Sequence, residues 1–81
     1  MKAVVHVTYK KTVLDPQGRT ISSKLNGLGY RNVLDVRQGK YFEIEIAGGT
    51  SREQVEAQID KIAHDVLANP VIEEYSFELA D

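Results

Sequence analysis

Apolar and polar positions alternate along three stretches of the chain and recur at helical spacing in two others. From Ala3 to Lys10, Val5, Val7 and Tyr9 share one face and Val4, His6 and Thr8 the other, as successive strand side chains do. The β-branched residues there favour a strand. Tyr41 to Ala47 has the cleanest period of two, with Phe42, Ile44 and Ile46 inward and Tyr41, Glu43 and Glu45 outward. Ile72 to Leu79 repeats it, setting Tyr75, Phe77 and Leu79 against Glu74, Ser76 and Glu78. A weaker alternation, Leu34 and Val36 against Val33, Asp35 and Arg37, predicts a further strand over Val33 to Gln38. Gly39-Lys40 then predicts a tight hairpin into the Tyr41 strand. Helical spacing appears at Ile21, Leu25 and Leu28, and at Val55, Ile59, Ile62 and Val66 with Ala63 beside them.

The punctuation between these stretches agrees with them. Asp15 suits a helix N-cap and Pro16 the first helical position. Gly29 suits a left-handed helix stop, so the first helix is predicted from Pro16 to Leu28. Gly18 is out of place in the first turn, where glycine costs about 1 kcal/mol relative to alanine. No local feature asks for it, which predicts that another subunit's backbone approaches there. Thr50 or Ser51 caps the second helix in capping-box spacing with Glu53 or Gln54. Asn69-Pro70 ends that helix. The order β-α-β-β-α-β is a split βαβ pattern within one domain, residues 1–81. Right-handed crossovers predict an α+β two-layer sandwich: a four-stranded antiparallel sheet, order 4-1-3-2, with two helices on one face. The open face would carry Glu43, Glu45, Glu74 and Glu78 with His6, Thr8, Asp35 and Arg37. Edge strands two and four are candidates for pairing across a subunit boundary.

Composition narrows the classes. A chain of 81 residues buries only about 60–65% of its unfolded surface, so its core is small and oligomerisation is expected to add stability. There are no cysteines, hence no disulfide, thiolate metal site or cysteine nucleophile, which fits a reducing cytoplasm. No apolar run approaches the ~20 residues of a membrane span, and the N-terminal run is too short for a signal peptide. The formal net charge is −2. The basic residues Lys10, Lys11, Arg19 and Lys24 form no concentrated patch of the kind nucleic acid draws.

Chemistry is hard to find. The two histidines, His6 and His64, match neither HExxH nor a three-ligand zinc set. Glu43 with Glu45, and Glu74 with Glu78, alternate as a solvated sheet face does, without a pocket for acid–base work. Gly27-Leu28-Gly29 ends a helix, whose negative terminus repels phosphate. Gly48-Gly49 precedes a helix but lacks a following Lys-Ser/Thr pair. The strand K-Y-F-E-I-E-I lacks the basic aromatic motif of an RNA-binding sheet, and no loop resembles an acylphosphatase phosphate cradle. The residues therefore predict no catalytic, cofactor-binding or metal site.

Four segments, in order, carry a resemblance: V-T-Y-K-K-T-V-L-D-P-Q-G at 7–18, L-G-Y at 28–30, V-L-D-V-R-Q-G-K-Y-F-E-I at 33–44 and L-A-N-P-V-I-E-E-Y at 67–75. Together they resemble PurS, the small subunit of multi-subunit phosphoribosylformylglycinamidine (FGAM) synthase. The resemblance implies a non-catalytic subunit that bridges a glutaminase (PurQ) and a synthetase (PurL) and helps ammonia pass between them. The synthetase would use ATP and Mg2+ to activate the formyl amide oxygen of formylglycinamide ribonucleotide, and ammonia would displace phosphate to give FGAM. The small subunit would bind no cofactor itself and would associate as a dimer or tetramer. Its expected contact residues are Lys11, Asp15, Gln17 and Gly18 at the start of helix one, Arg37, Gly39, Lys40 and Tyr41 at the hairpin, and Asn69, Pro70 and Glu73 at the start of strand four. An ACT-like regulatory module, which shares this element order, is the alternative and would bind a small metabolite at a dimer interface.

Overall fold

The computed structural model describes residues 1–80. In chain order it contains β1 (Lys2–Tyr9), α1 (Pro16–Gly27), β2 (Gly39–Glu45), α2 (Arg52–Ile62), a π-helical turn (Ala63–Leu67) and β3 (Glu73–Ala80). The strands form one antiparallel sheet in the order β2-β1-β3. Val5 stands opposite Phe42 on one side and Phe77 on the other, and Val7 opposite Lys40 and Tyr75. Alternation in β1 thus sends Ala3, Val5 and Val7 to one face, where all three are fully buried.

α2 covers that face. Its N-cap Ser51 accepts from the amide of Gln54 at 3.3 Å, and Glu53 in the first turn complements the helix dipole. Val55, Ile59 and Ala63, four residues apart, are fully buried against the β1 valines. Phe42, Ile44, Ile62, Leu67, Tyr75, Phe77 and Leu79 close the core around them. The helix then widens by one residue: the amide of Ala68 reaches the carbonyl of Ala63 at 2.8 Å, an i→i+5 bond. The extra residue moves the inward position from Val66 to Leu67. Val66, placed on the apolar stripe by its spacing, is therefore 75% exposed.

Three expectations are overturned. The sheet has three strands, not four in the order 4-1-3-2, because the stretch from Val33 to Gln38 joins no sheet. Three of its backbone donors are taken outside any sheet: Val33 N–H by the carbonyl of Tyr30 at 3.2 Å, Val36 N–H by the Asp35 carboxylate at 2.9 Å and Gln38 N–H by the Asp15 carboxylate at 2.8 Å. Gly39-Lys40 makes no hairpin, since these residues open β2 opposite Thr8 and Val7. Gly39 serves that pairing instead. A Cβ there would lie 2.7 Å from the carbonyl oxygen of Val7 and 2.7 Å from Thr8 Cγ2.

Nor do two helices share one face. α1 has the predicted cap and start, but none of its residues belongs to the core or packs on it, and it makes at most marginal contact with the sheet and α2. Its least exposed positions are Gly18, Ser22 and Leu25, a stripe of mostly small residues rather than Ile21, Leu25 and Leu28. α1 and the returning stretch together form an arm. The molecule measures 52 × 26 × 14 Å, with a radius of gyration of 16.3 Å, where a compact chain of this length would have about 12 Å.

Candidate functional site

The base of the arm gathers four of the candidate residues: Lys11, Asp15, Gly18 and Arg37. Asp15 is only 6% exposed. One carboxylate oxygen accepts from the amide of Gly18 at 2.9 Å and the other from the amide of Gln38 at 2.8 Å. Those amide bonds, Gly18 first and then Gln38, hold its carboxyl below the usual carboxylate range. A Cβ on Gly18 would overlap the carbonyl oxygen of Val36 and lie 2.8 Å from Asp15 Oδ2. The backbone that requires this glycine is thus the chain's own, which corrects the expectation of another subunit there. Arg37, though exposed, is held by the chain's own backbone: its guanidinium donates to the carbonyls of Tyr9 at 3.2 Å, Lys10 at 3.2 Å and Lys11 at 3.0 Å. Lys11 contributes its carbonyl, and it lines a groove of about 560 Å³ with Arg19, Ser22, Ser23 and Leu34.

A second group lies at the same end of the sheet. Glu73 accepts from the amide of Asn69 at 2.8 Å and pairs with Lys40 at 3.8 Å. The Asn69 side chain accepts from the amide of Val71 at 3.1 Å, closing the turn that contains the exposed Pro70. Gln17, Gly39, Lys40 and Glu73 line a small cleft of about 70 Å³ with Gln38 and Thr8. The structure therefore brings candidates from three separate segments, Tyr41 excepted, to one end of the sheet, where the arm begins.

Tyr41 stands apart, on the open face of the sheet. Its hydroxyl donates to Glu43 at 2.9 Å, which raises the phenol's pKa. Lys2 completes the group, 3.1 Å from the same carboxylate, and lowers the pKa of Glu43. His6 meets the Tyr41 ring edge to face at 5.2 Å. Glu45, Glu74 and Glu78 share this solvated face, as alternation predicts, whereas Asp35 and Arg37 leave it with the arm. Among the described residues no three acidic, histidine or cysteine side chains gather as a metal site, and no helix is long and apolar enough to cross a membrane.

Periodicity did not single out the apolar surface of the arm. Leu14 is 61% exposed, Leu28 75%, Tyr30 56% and Leu34 91%. Leu14 and Leu34 line the groove at the base, and Leu28 and Tyr30 follow the end of α1. The signal available in the sequence was the poor alternation of Val33 to Gln38 beside a helix with too few apolar positions to cover a sheet.

A family model described as PurS: phosphoribosylformylglycinamidine (FGAM) synthase matches residues 2–81. The chain belongs to the PurS family. PurS is a subunit of FGAM synthase, an enzyme of purine biosynthesis. The PurS subunit of Mycobacterium leprae is 43% identical over 93% of this chain and 90% of its own length. The Bacillus subtilis PurS structure superimposes with a TM-score of 0.87 at 38% identity, covering 99% of this chain and 98% of that one. A chain of the Thermotoga maritima PurLQS structure gives a TM-score of 0.84 at 31% identity, covering 95% and 93%. The fold that PurS chains share with this one thus includes the outlying arm as well as the sheet.

Proposed function

We propose that this chain is the non-catalytic bridge of a PurS-type FGAM synthase, joining a glutaminase and a synthetase and assisting the passage of ammonia between them. The observation that carries the reading is the arm. Leu14 and Leu34 are exposed beside the polar base where the candidate residues converge, and Leu28 and Tyr30 are exposed at the far end of α1. A small enzyme folding alone has no use for so much apolar surface outside its core. The PurLQS structure of Thermotoga maritima contains a chain of this fold, which supports partners of the PurL and PurQ types for this chain too. The arm and the outer edges of β2 and β3 also suit a second copy of the chain, so the bridge is a homodimer or larger.

Within this reading the chemistry belongs to the partners, in the cytoplasm. The synthetase consumes ATP with Mg2+, the glutaminase supplies ammonia, and this chain holds no cofactor. Reconstitution tests it directly. Synthetase plus glutaminase should make FGAM from glutamine only when this chain is added, while added ammonium should drive synthesis with much less dependence on it. Full glutamine-driven synthesis without the chain would overturn the proposal.

A further inference from the structure

The chain leaves the sheet after Tyr9 and re-enters it at Gly39. The direction of the arm is set chiefly between these two strands of backbone, because α1 has no part in the core. Two side chains tie them together, and they do so reciprocally. Asp15, on the outgoing strand, accepts from the Gln38 amide on the returning one. Arg37, on the returning strand, donates to three successive carbonyls, Tyr9 to Lys11, on the outgoing one. Just beyond the ties, on the arm side, Gly18 brings the first turn of α1 against the carbonyl of Val36. A single tie would leave an axis about which the arm could swing. Two ties at different points, with backbone packed beside them, oppose both bending and twisting. The body is fixed to the outgoing strand as well, through the Lys10 amide on the carbonyl of Ile72 at 2.9 Å.

We infer that Asp15 and Arg37 form a rigid joint that fixes the direction of the arm relative to the sheet, and that this fixed direction aligns the enzymes the subunit joins. Asp15 and Arg37 are then positioning residues: they set where the partners' surfaces stand, without touching the reacting groups. Lysine cannot replace Arg37, because an ammonium lacks the planar fork that spans several carbonyls. The second half of this inference rests on the bridging role proposed above; the rigidity of the joint does not.

The absence of cysteine allows two probes to be placed at will. Spin labels at Ser23→Cys on α1 and Glu78→Cys on β3 report the arm-to-sheet distance, with the labelled chain diluted in unlabelled chain so that only distances within one chain are read. The wild-type background should give one narrow distribution. Arg37→Lys and Asp15→Asn should broaden it while amide exchange at Val5 and Ile59 still reports a folded core. An unchanged width in both variants would overturn the joint. In the reconstituted enzyme the ratio of glutamine-driven to ammonium-driven synthesis should fall about tenfold or more, the scale on which small misplacements act. A broadened distribution with an unchanged ratio would overturn the aligning role. If the wild-type chain itself adds no glutamine-driven synthesis, the bridging reading fails, and with it the aligning role, while the distances still decide the joint.

Discussion

Asp15 shows how one side chain can hold two jobs. As an N-cap it satisfies a free amide of α1, and its second oxygen satisfies an amide of the returning stretch. Only the first was legible, because capping is local and the partner at Gln38 lies twenty-three residues away. The sign of its pH dependence follows from the depressed pKa. The carboxylate contributes stability above its unfolded value of about 4, and that contribution is lost as pH falls through the lower folded value. Asp15→Asn should therefore unfold at lower urea than wild type at pH 7, and the gap in urea midpoints should close in acid below about pH 4. Gly18 gives a sharper test. Even Gly18→Ala places a Cβ on the Val36 carbonyl, so the arm should shift or loosen although alanine is the better helix former. Lower stability, or a displaced arm in the spin-label distances, is the expected result.

At the level of elements, the strands that pair and the covering helix were readable because their burial follows the periods of two and 3.6. The arm was not. A strand needs a neighbour as well as a pattern, and for Val33 to Gln38 three of the backbone donors are diverted to Tyr30, Asp35 and Asp15. The helix of the arm misled in the same way: Ile21 and Leu28 have core spacing but no core to face. The candidate residues were named from a resemblance, and their gathering at one end depends on pairings that no single segment encodes. The π-helical turn makes a separate prediction. Val66→Ser should change stability by less than about 0.5 kcal/mol, as exposed substitutions do. Leu67→Ala should destabilise measurably in the same urea titration. Ile59→Ala, at the centre of the core, should cost about 2–5 kcal/mol.

The whole molecule divides into a small body that folds on its own core and an arm whose apolar surface lies outside it. This division explains why a chain without a visible active site carries so much exposed leucine. It also separates two classes of variant. Changes in the body and at the base of the arm should act on stability, and changes on the arm's exposed surface should act on assembly. Leu34→Glu should leave the urea midpoint near that of wild type, since Leu34 is 91% exposed, and should lower the sedimentation coefficient at a fixed protein concentration. A variant that unfolded instead would place Leu34 in the fold rather than the interface.

The sheet order has a consequence for synthesis. β1 lies in the centre, yet of the three strands it is made first, and one of its two neighbours, β3, is made last. At translation rates of about 5–20 residues per second, β1 waits on the order of 3–13 s before β3 can follow. During that time the run V-V-H-V-T-Y, Val4 to Tyr9, is an uncharged, β-prone segment with an unpaired edge, which is the signature of an aggregation hazard. The flanking Lys2, Lys10 and Lys11 then act as gatekeepers on the nascent chain, repelling other copies until the last strand closes the sheet.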